Sequence, residues 1–533
     1  MEHDEMTGKK VNLSILVQSL LKSVHKDAVS EDHLWYALRG ALNPTFLINN
    51  LSEALRISAA ETETLLIQHG LSDLVMQARL KAEETSPDAG EEVSMKIADA
   101  PASSPFPDLL SIETSPALPD PLWISASRKK SFSDLAQSIL STMSHDPFGE
   151  LYRTEVKKYH DDFLKREALQ IDRYVDLHFG QNGPKYLVNS GIGANEQFNH
   201  FISYLNNINP GKKCEWIIIN SPRKLNLLPQ DADVSNTLFM EFSRSGKTEE
   251  TVKVHEYTPR DMKRIVFANS GPLKDLGLRD INLVLSIPDE VSGRFGRNKT
   301  PILLAPMYVA GMDTHTFWGD IENAIHAFNL QNPDNLPFQI AKFIYLHQMI
   351  NGINHIYLGC NNDELLMMAD EFTQFWNEGV NKGANDILMS RYLGLPRDSH
   401  TNIEGMLANH KNKMAVFLFT DHAVNDTVHP LIRKEIDPIN PEHIGLQYGE
   451  EEMILAEANY ERFSELMPCI KITLNGLLSL NHAAVISQLW ADITFCYSRL
   501  KNIDPGSNPE VKAVRDRSAK LLAQAAKHSM KTE

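Results

Sequence analysis

Four short apolar runs, each ending in Ser or Gly, constrain this chain more than any other feature. "KYLVNSGIGANEQFNHFISYLNN" reads as strand, glycine turn and amphipathic helix, and "CEWIIINSP", "NTLFMEFSRSG" and "KRIVFANSGP" follow as further strands. Strands without apolar–polar alternation are buried on both faces, and their alternation with helices predicts a parallel sheet covered on both sides. A second cycle opens at "INHIYLGCNNDELLMMADEFTQFWNE", again strand, Gly359 and helix, and "KMAVFLFTD" repeats the later strand. The expected fold class is α/β, with two doubly wound lobes of mainly parallel sheet, an N-terminal helical domain and a C-terminal helix.

Around this body the composition changes. Residues 1–82 read as a helical domain: Leu13, Leu16, Val17, Leu20 and Leu21 recur at three- and four-residue steps. Ser58 with Glu61 forms a capping box before "ETETLLIQHG", and Gly70 is a stop. Residues 83–122, rich in Pro, Ser and acids, read as a linker; its "LLSIE" is either part of a solvated tether or a docking motif. The first lobe is expected over 123–335, the second over 336–500, and a C-terminal arm over 501–533 with an amphipathic helix from about residue 509 to 527.

With 52 basic against 69 acidic residues, the chain has no basic surface for nucleic acid, though a local positive pocket for a small anion remains open. The four cysteines are scattered without a C-x-x-C pair, as in a reduced protein, and the twenty histidines show no metal-ligand spacing. "MEHDEMTGKK" has no apolar signal core, and no run approaches the roughly 18–20 apolar residues of a membrane span. These features predict a cytoplasmic protein without membrane contact.

The loop after "NTLFMEF" invites a nucleotide reading, since Gly246-Lys247-Thr248 resembles the tail of a P-loop. G-x-x-x-x-G-K-[ST] needs glycine at position 241, which is Glu241, so the nucleotide reading fails. What remains is a strand ending at Phe242, then Ser243 to Thr248, then a helix. Hydroxyls and free N–H groups at a helix N-terminus suit one phosphate; a Ser/Thr-rich cap without ligand is the alternative.

"TLFMEFSRSGKTEET" resembles the phosphate loop of sugar isomerase (SIS) domains, S-x-S-G-x-T-x-E-T. Further stretches, in order, resemble the glucose-6-phosphate isomerase family: "SGIGANEQF" its first glycine turn, "IPDEVSGRFGRNKTPILLAPMYVAGMD" its G-G-R segment, and "FWNEGVNKG" its E-S-x-G-K. "DSHTNIEGMLANHKNK" is similar to its histidine segment, and "IDPGSNPEVKAVR" to the start of its last helix. The resemblance covers roughly residues 125–530.

The resemblance implies SIS-type lobes and a glycolytic and gluconeogenic aldose–ketose isomerase of glucose 6-phosphate and fructose 6-phosphate, using neither metal nor nucleotide. It makes Glu378 the base that carries a proton between C1 and C2. On its own, Glu378 reads as a solvated residue just past a helix. Arg294 would face the enediolate oxygen, and His400 would help open the sugar ring from the neighbouring subunit of a homodimer. Ser243, Ser245, Gly246 and Thr248 would hold the phosphate, Lys247 would point to solvent, and Gly191, Gly193 and Asn195 would line the sugar.

Four positions depart from the family pattern. Arg515 stands where the family has a catalytic lysine, and an arginine does not readily give up a proton. Asn195 replaces Ser, Ser292 replaces the first Gly of G-G-R, and Glu404 replaces Gln near a phosphorylated substrate. Three expectations stay open: the isomerase, an isomerase of another phosphosugar, and a non-catalytic sugar-phosphate-binding protein.

Overall fold

A computed structural model describes residues 104–115, 139–422 and 448–506, short gaps apart, and part of 513–524. The expected N-terminal helical domain, most of the linker, and Asn195, Ser292, His400 and Arg515 lie outside the described residues. The described strands, in chain order, are β1 (Leu110–Ser115), β2 (Tyr186–Ser190), β3 (Glu215–Ile219), β4 (Thr237–Phe242) and β5 (Lys263–Phe267), then β6 (Leu283–Leu285), β7 (His355–Cys360), β8 (Leu388–Gly394), β9 (Lys413–Thr420) and β10 (Cys469–Leu474).

They form two five-stranded sheets. The first, in the order β3-β2-β4-β5-β6, is parallel throughout. Every residue of β2 and of β4 is buried, as the unbroken apolar runs in the sequence require. From β2 the chain runs outward to β3 and then returns to β4 on the other side. The neighbours β2 and β4 therefore mark the switch point, where the loops leaving their C-terminal ends diverge and leave a crevice.

The second sheet has the order β1-β10-β9-β7-β8 and is parallel except for β1, which runs antiparallel to β10 from Leu110↔Leu474 to Ser115↔Cys469. This corrects the linker reading over 110–115. The composition of 83–122 concealed an edge strand, "LSIETS", in which Leu110 is buried. Lys471 of β10 ties the strand down by bonding Glu113 at 2.9 Å.

The helices that carry the core and the site are α1 (Gln197–Ile208), α2 (Glu249–Tyr257), α3 (Gly271–Arg279), α4 (Pro301–Val309), α5 (Leu336–Asn351), α6 (Asp363–Val380) and α7 (Leu480–Leu500). Every residue of α7 from His482 to Ser498 is buried. A helix so enclosed belongs in the centre of a core, and α7 packs on α1, α5 and α6. One apolar cluster consequently runs through both sheets, from Leu187 and Leu238 to Ile356 and Ile470. The described part of 513–524 is helical and exposed, with Val514, Leu521 and Leu522 facing outward. Among the described residues no helix is long and apolar enough to cross a membrane.

Candidate active site

Both loops at the first switch point are those the sequence singles out. β4 ends at Phe242, and Ser243 to Thr248 lead directly into α2. Gly246 has φ +63°, a left-handed conformation that favours glycine, and its N–H donates to the Ser243 carbonyl at 2.7 Å. The Ser243 and Thr248 hydroxyls share a hydrogen bond of 2.7 Å, while the Lys247 and Thr248 amides donate weakly, at 3.3 Å, to Ser245 Oγ and Ser243 Oγ. Lys247 is exposed, as expected.

A second helix begins at the same place. α3 starts at Gly271, and Leu273 N donates to the Gly246 carbonyl at 3.0 Å. Two helix N-termini thus converge on one loop, and their partial positive charges favour an anion there. Beneath the loop, Glu241 is fully buried. His255 Nδ1 meets its Oε2 at 2.6 Å, His255 Nε2 meets Asp280 Oδ2 at 3.2 Å, and Arg264 Nε lies 3.4 Å from Glu241 Oε1. The residue that rules out a P-loop therefore clamps α2 and the end of α3 to the sheet.

The other loop, Gly191 to Gly193, leaves the neighbouring strand β2. Gly191 is buried and Gly193 has φ +59°. A Cβ on Gly193 would stand 3.1 Å from Gln374 Nε2, so this turn presses against α6 of the second lobe.

α6 brings in the chemistry. Its N-terminus is capped by Asn362, whose side chain accepts from Leu365 N at 2.8 Å, and Phe372, Phe375 and Trp376 bury its apolar face. Gln374 and Glu378 are four residues apart and lie on one face. Glu378 is inside the last turn of the helix, not beyond it, which corrects the sequence reading. Asn377 fixes that end by exchanging hydrogen bonds with Met389 of β8, at 2.7 and 2.9 Å.

Arg294 meets Glu378 there. Its Nη2 and Nε donate to Glu378 Oε2 at 2.8 and 3.2 Å, and its Nη1 donates to the Pro505 carbonyl. Gln374 Nε2 donates to Oε1 at 2.7 Å, so both carboxylate oxygens are held. Arg294 is buried, which draws its guanidinium below its ordinary value, opposed by the charges of Glu378 and Asp504. Phe295, next in sequence, packs edge-on against Phe375 of α6 at 4.6 Å between ring centroids and so carries Arg294 to the helix. Lys299 pins the far side of the same turn: its buried Nζ donates to the Tyr152 carbonyl at 2.8 Å.

Gln374 is a site residue the sequence reading missed, though its position one turn before Glu378 was the available signal. Glu404 is exposed on the short helix Ile403–Ala408, which relieves the repulsion its charge suggests. A carboxylate has four lone-pair positions, so Glu378 can still take a proton while Gln374 and Arg294 aim it.

No protein-family model matches the chain, and no curated protein does. Solved structures do. A hypothetical protein from Thermus thermophilus matches over 78% of this chain and 100% of its own, at TM-score 0.61 and 19% identity. A glucose-6-phosphate isomerase from Chlamydia trachomatis matches over 79% of this chain and 89% of its own, at TM-score 0.59 and 12% identity. This chain shares their fold. At such identity the likeness concerns architecture, and the chemistry has to be argued from the site.

Proposed function

We propose that the chain is a SIS-type phosphosugar isomerase that interconverts glucose 6-phosphate and fructose 6-phosphate. The observation that carries this reading is the Glu378 carboxylate, held by Gln374 and Arg294 beside the Gly193 turn, one strand away from the anion loop at Ser243–Thr248. The phosphate is anchored at Ser243, Ser245, Gly246 and Thr248, where the N-termini of α2 and α3 meet.

Glu378 takes the proton from C2, the electron pair forms a C1–C2 double bond, and O1 becomes an oxyanion beside Arg294. The hydroxyl proton crosses from O2 to O1, and Glu378 returns its proton to C1. The resemblance adds a homodimer in which His400 reaches the neighbouring site and opens the ring, with Arg515 near the ring oxygen. The choice of substrate rests on the motif resemblance, from the Ser243–Thr248 loop to the segment around Glu378.

A coupled assay on glucose 6-phosphate and fructose 6-phosphate tests the reading, with Glu378→Gln as control. Turnover in the wild type and a loss of about 10²–10⁴-fold in the variant are expected for a general base. No wild-type turnover on either sugar would sink the enzyme.

One observation favours a second reading, a sugar-phosphate-binding protein without catalysis: Arg294 Nε, Nη1 and Nη2 are all engaged by protein acceptors. Calorimetric binding of glucose 6-phosphate without turnover would select it.

A further inference from the structure

Beyond the C-terminal end of β5 the sheet is continued by one residue, Asn269. The Ala268 amide donates to the Leu285 carbonyl of β6 at 3.0 Å. The next amide, that of Asn269, points the other way and donates to the Arg244 carbonyl of the anion loop at 3.0 Å. With its backbone turned toward that loop, Asn269 reaches the β6 side through its side chain. Its Oδ1 accepts from the Ile287 amide at 2.7 Å, and its Nδ2 donates to the Ile287 carbonyl at 2.6 Å and to Asp289 Oδ1 at 2.7 Å. Arg244 closes the figure, its Nη1 donating weakly to the Asp289 carbonyl at 3.3 Å. An asparagine in a loop ordinarily bonds its own turn or water. This one ties together the segments that follow β4, β5 and β6.

The segment held in this way leads to Arg294, five residues beyond Asp289. Arg294 here binds Glu378 through Nη2 and Nε, whereas isomerisation needs it beside O1 once Glu378 has taken the proton. Loosening that pair is a step the substrate has to drive, and the phosphate is the part of the substrate that binds without reacting. We propose that Asn269 is a positioning residue: through it, an anion bound at Ser243–Thr248 sets where the Arg294 turn sits, so phosphate binding raises turnover as well as affinity. The inference rests on the isomerase reading and deepens it, by naming what connects the anion loop to the reacting centre.

The test supplies the sugar and the anion as separate pieces. Full-length wild type and Asn269→Leu are assayed on glucose 6-phosphate, then on unphosphorylated glucose with and without inorganic phosphite. Asn269→Leu should lose kcat on glucose 6-phosphate by about tenfold to a hundredfold with little change in KM, the scale of a small misplacement at a reacting centre. Phosphite should raise wild-type turnover of glucose by at least about tenfold. It should not raise that of Asn269→Leu, although calorimetry shows phosphite bound to both. A loss of packing alone would lower the rates with and without phosphite together and keep their ratio. The same activation ratio in both proteins, or none in the wild type, would overturn the proposal. Asn269→Asp keeps the size and the acceptor for Ile287 but not the two donor bonds; it replaces Asn269→Leu if that variant does not fold, with the same losses expected.

Should the wild type turn over neither sugar phosphate, the isomerase reading fails and hydrogen exchange decides Asn269 separately. Saturating inorganic phosphate should slow amide exchange at residues 293–299 of the wild type and leave it unchanged in the variant. Phosphate that binds without slowing those amides in the wild type, or slows them equally in the variant, overturns the coupling. Phosphate that does not bind removes the anion site and the coupling with it.

Discussion

Gly246 lies so close to Ser270 that a Cβ on it would stand 1.8 Å from the Ser270 carbonyl oxygen. The obstacle is backbone, which cannot rotate away, and Gly246 also has φ +63°. This close approach brings the start of α3 onto the loop that starts α2, and the proposed anion site depends on it.

Gly246→Ala should therefore separate the two helix N-termini. Strain at a left-handed residue costs on the order of 1–3 kcal/mol, and the backbone clash adds to it. The expected result is a lower melting temperature together with at least about tenfold weaker binding of inorganic phosphate, given that each 1.4 kcal/mol is tenfold in affinity. Calorimetry with phosphate checks this without needing turnover, and unchanged affinity in a folded variant would remove the anion from this loop.

Glu241 supports the same loop from below. Two carboxylates face the two ring nitrogens of His255, and Arg264 completes a buried charged cluster. Removing one member of a buried ion pair leaves the others uncompensated and typically costs 3–5 kcal/mol. Glu241→Ala should lose about that much in urea denaturation, far more than the roughly 0.5 kcal/mol of an ordinary surface change such as Lys247→Ala.

Lys299 makes the stability of the fold depend on pH. Burial pushes its ammonium down to about 7 in the folded chain, against 10.5 when unfolded. Between these values the unfolded chain holds a proton that the folded chain lacks, so this residue's contribution to stability rises with pH, at up to about 1.4 kcal/mol per unit. Below pH 7 both states are protonated and the contribution is flat. Lys299→Met should flatten the rise in urea midpoint across pH 7–10 relative to the wild type. Parallel curves for the two proteins would show that Lys299 does not titrate in this window.

The anion loop and the Glu378 clamp differed in how readable they were. Ser243 to Thr248 is one contiguous segment between a buried strand and a helix, so local residue chemistry marks it. Arg294 and Glu378 are 84 residues apart, and their contact depends on Phe295 packing against Phe375, which no local pattern encodes. β1 was concealed because its alternation is short and lies in a Pro- and Ser-rich stretch, where composition outweighed period. α7 is buried from His482 to Ser498 although Gln488 and Asp492 recur on one face, because that polar stripe is paired inside the core, Gln488 Nε2 donating to Asp492 Oδ1 at 2.9 Å.

Gln374 gives the last prediction. Its Nε2 donates to Glu378 Oε1 at 2.7 Å, and the Gly193 turn closes over the same nitrogen. The amide fixes which way the carboxylate faces but makes no demand on the Ser243–Thr248 loop. Gln374→Leu keeps the volume and removes the donor, and Gln374→Asn keeps the amide on a stem too short to reach. Both should lower kcat by roughly tenfold to a hundredfold, part of the 10²–10⁴ that a well-aimed base supplies, with phosphate affinity unchanged. If Gln374→Leu keeps the wild-type kcat, Arg294 alone orients Glu378 and Gln374 is only packing against the Gly193 turn.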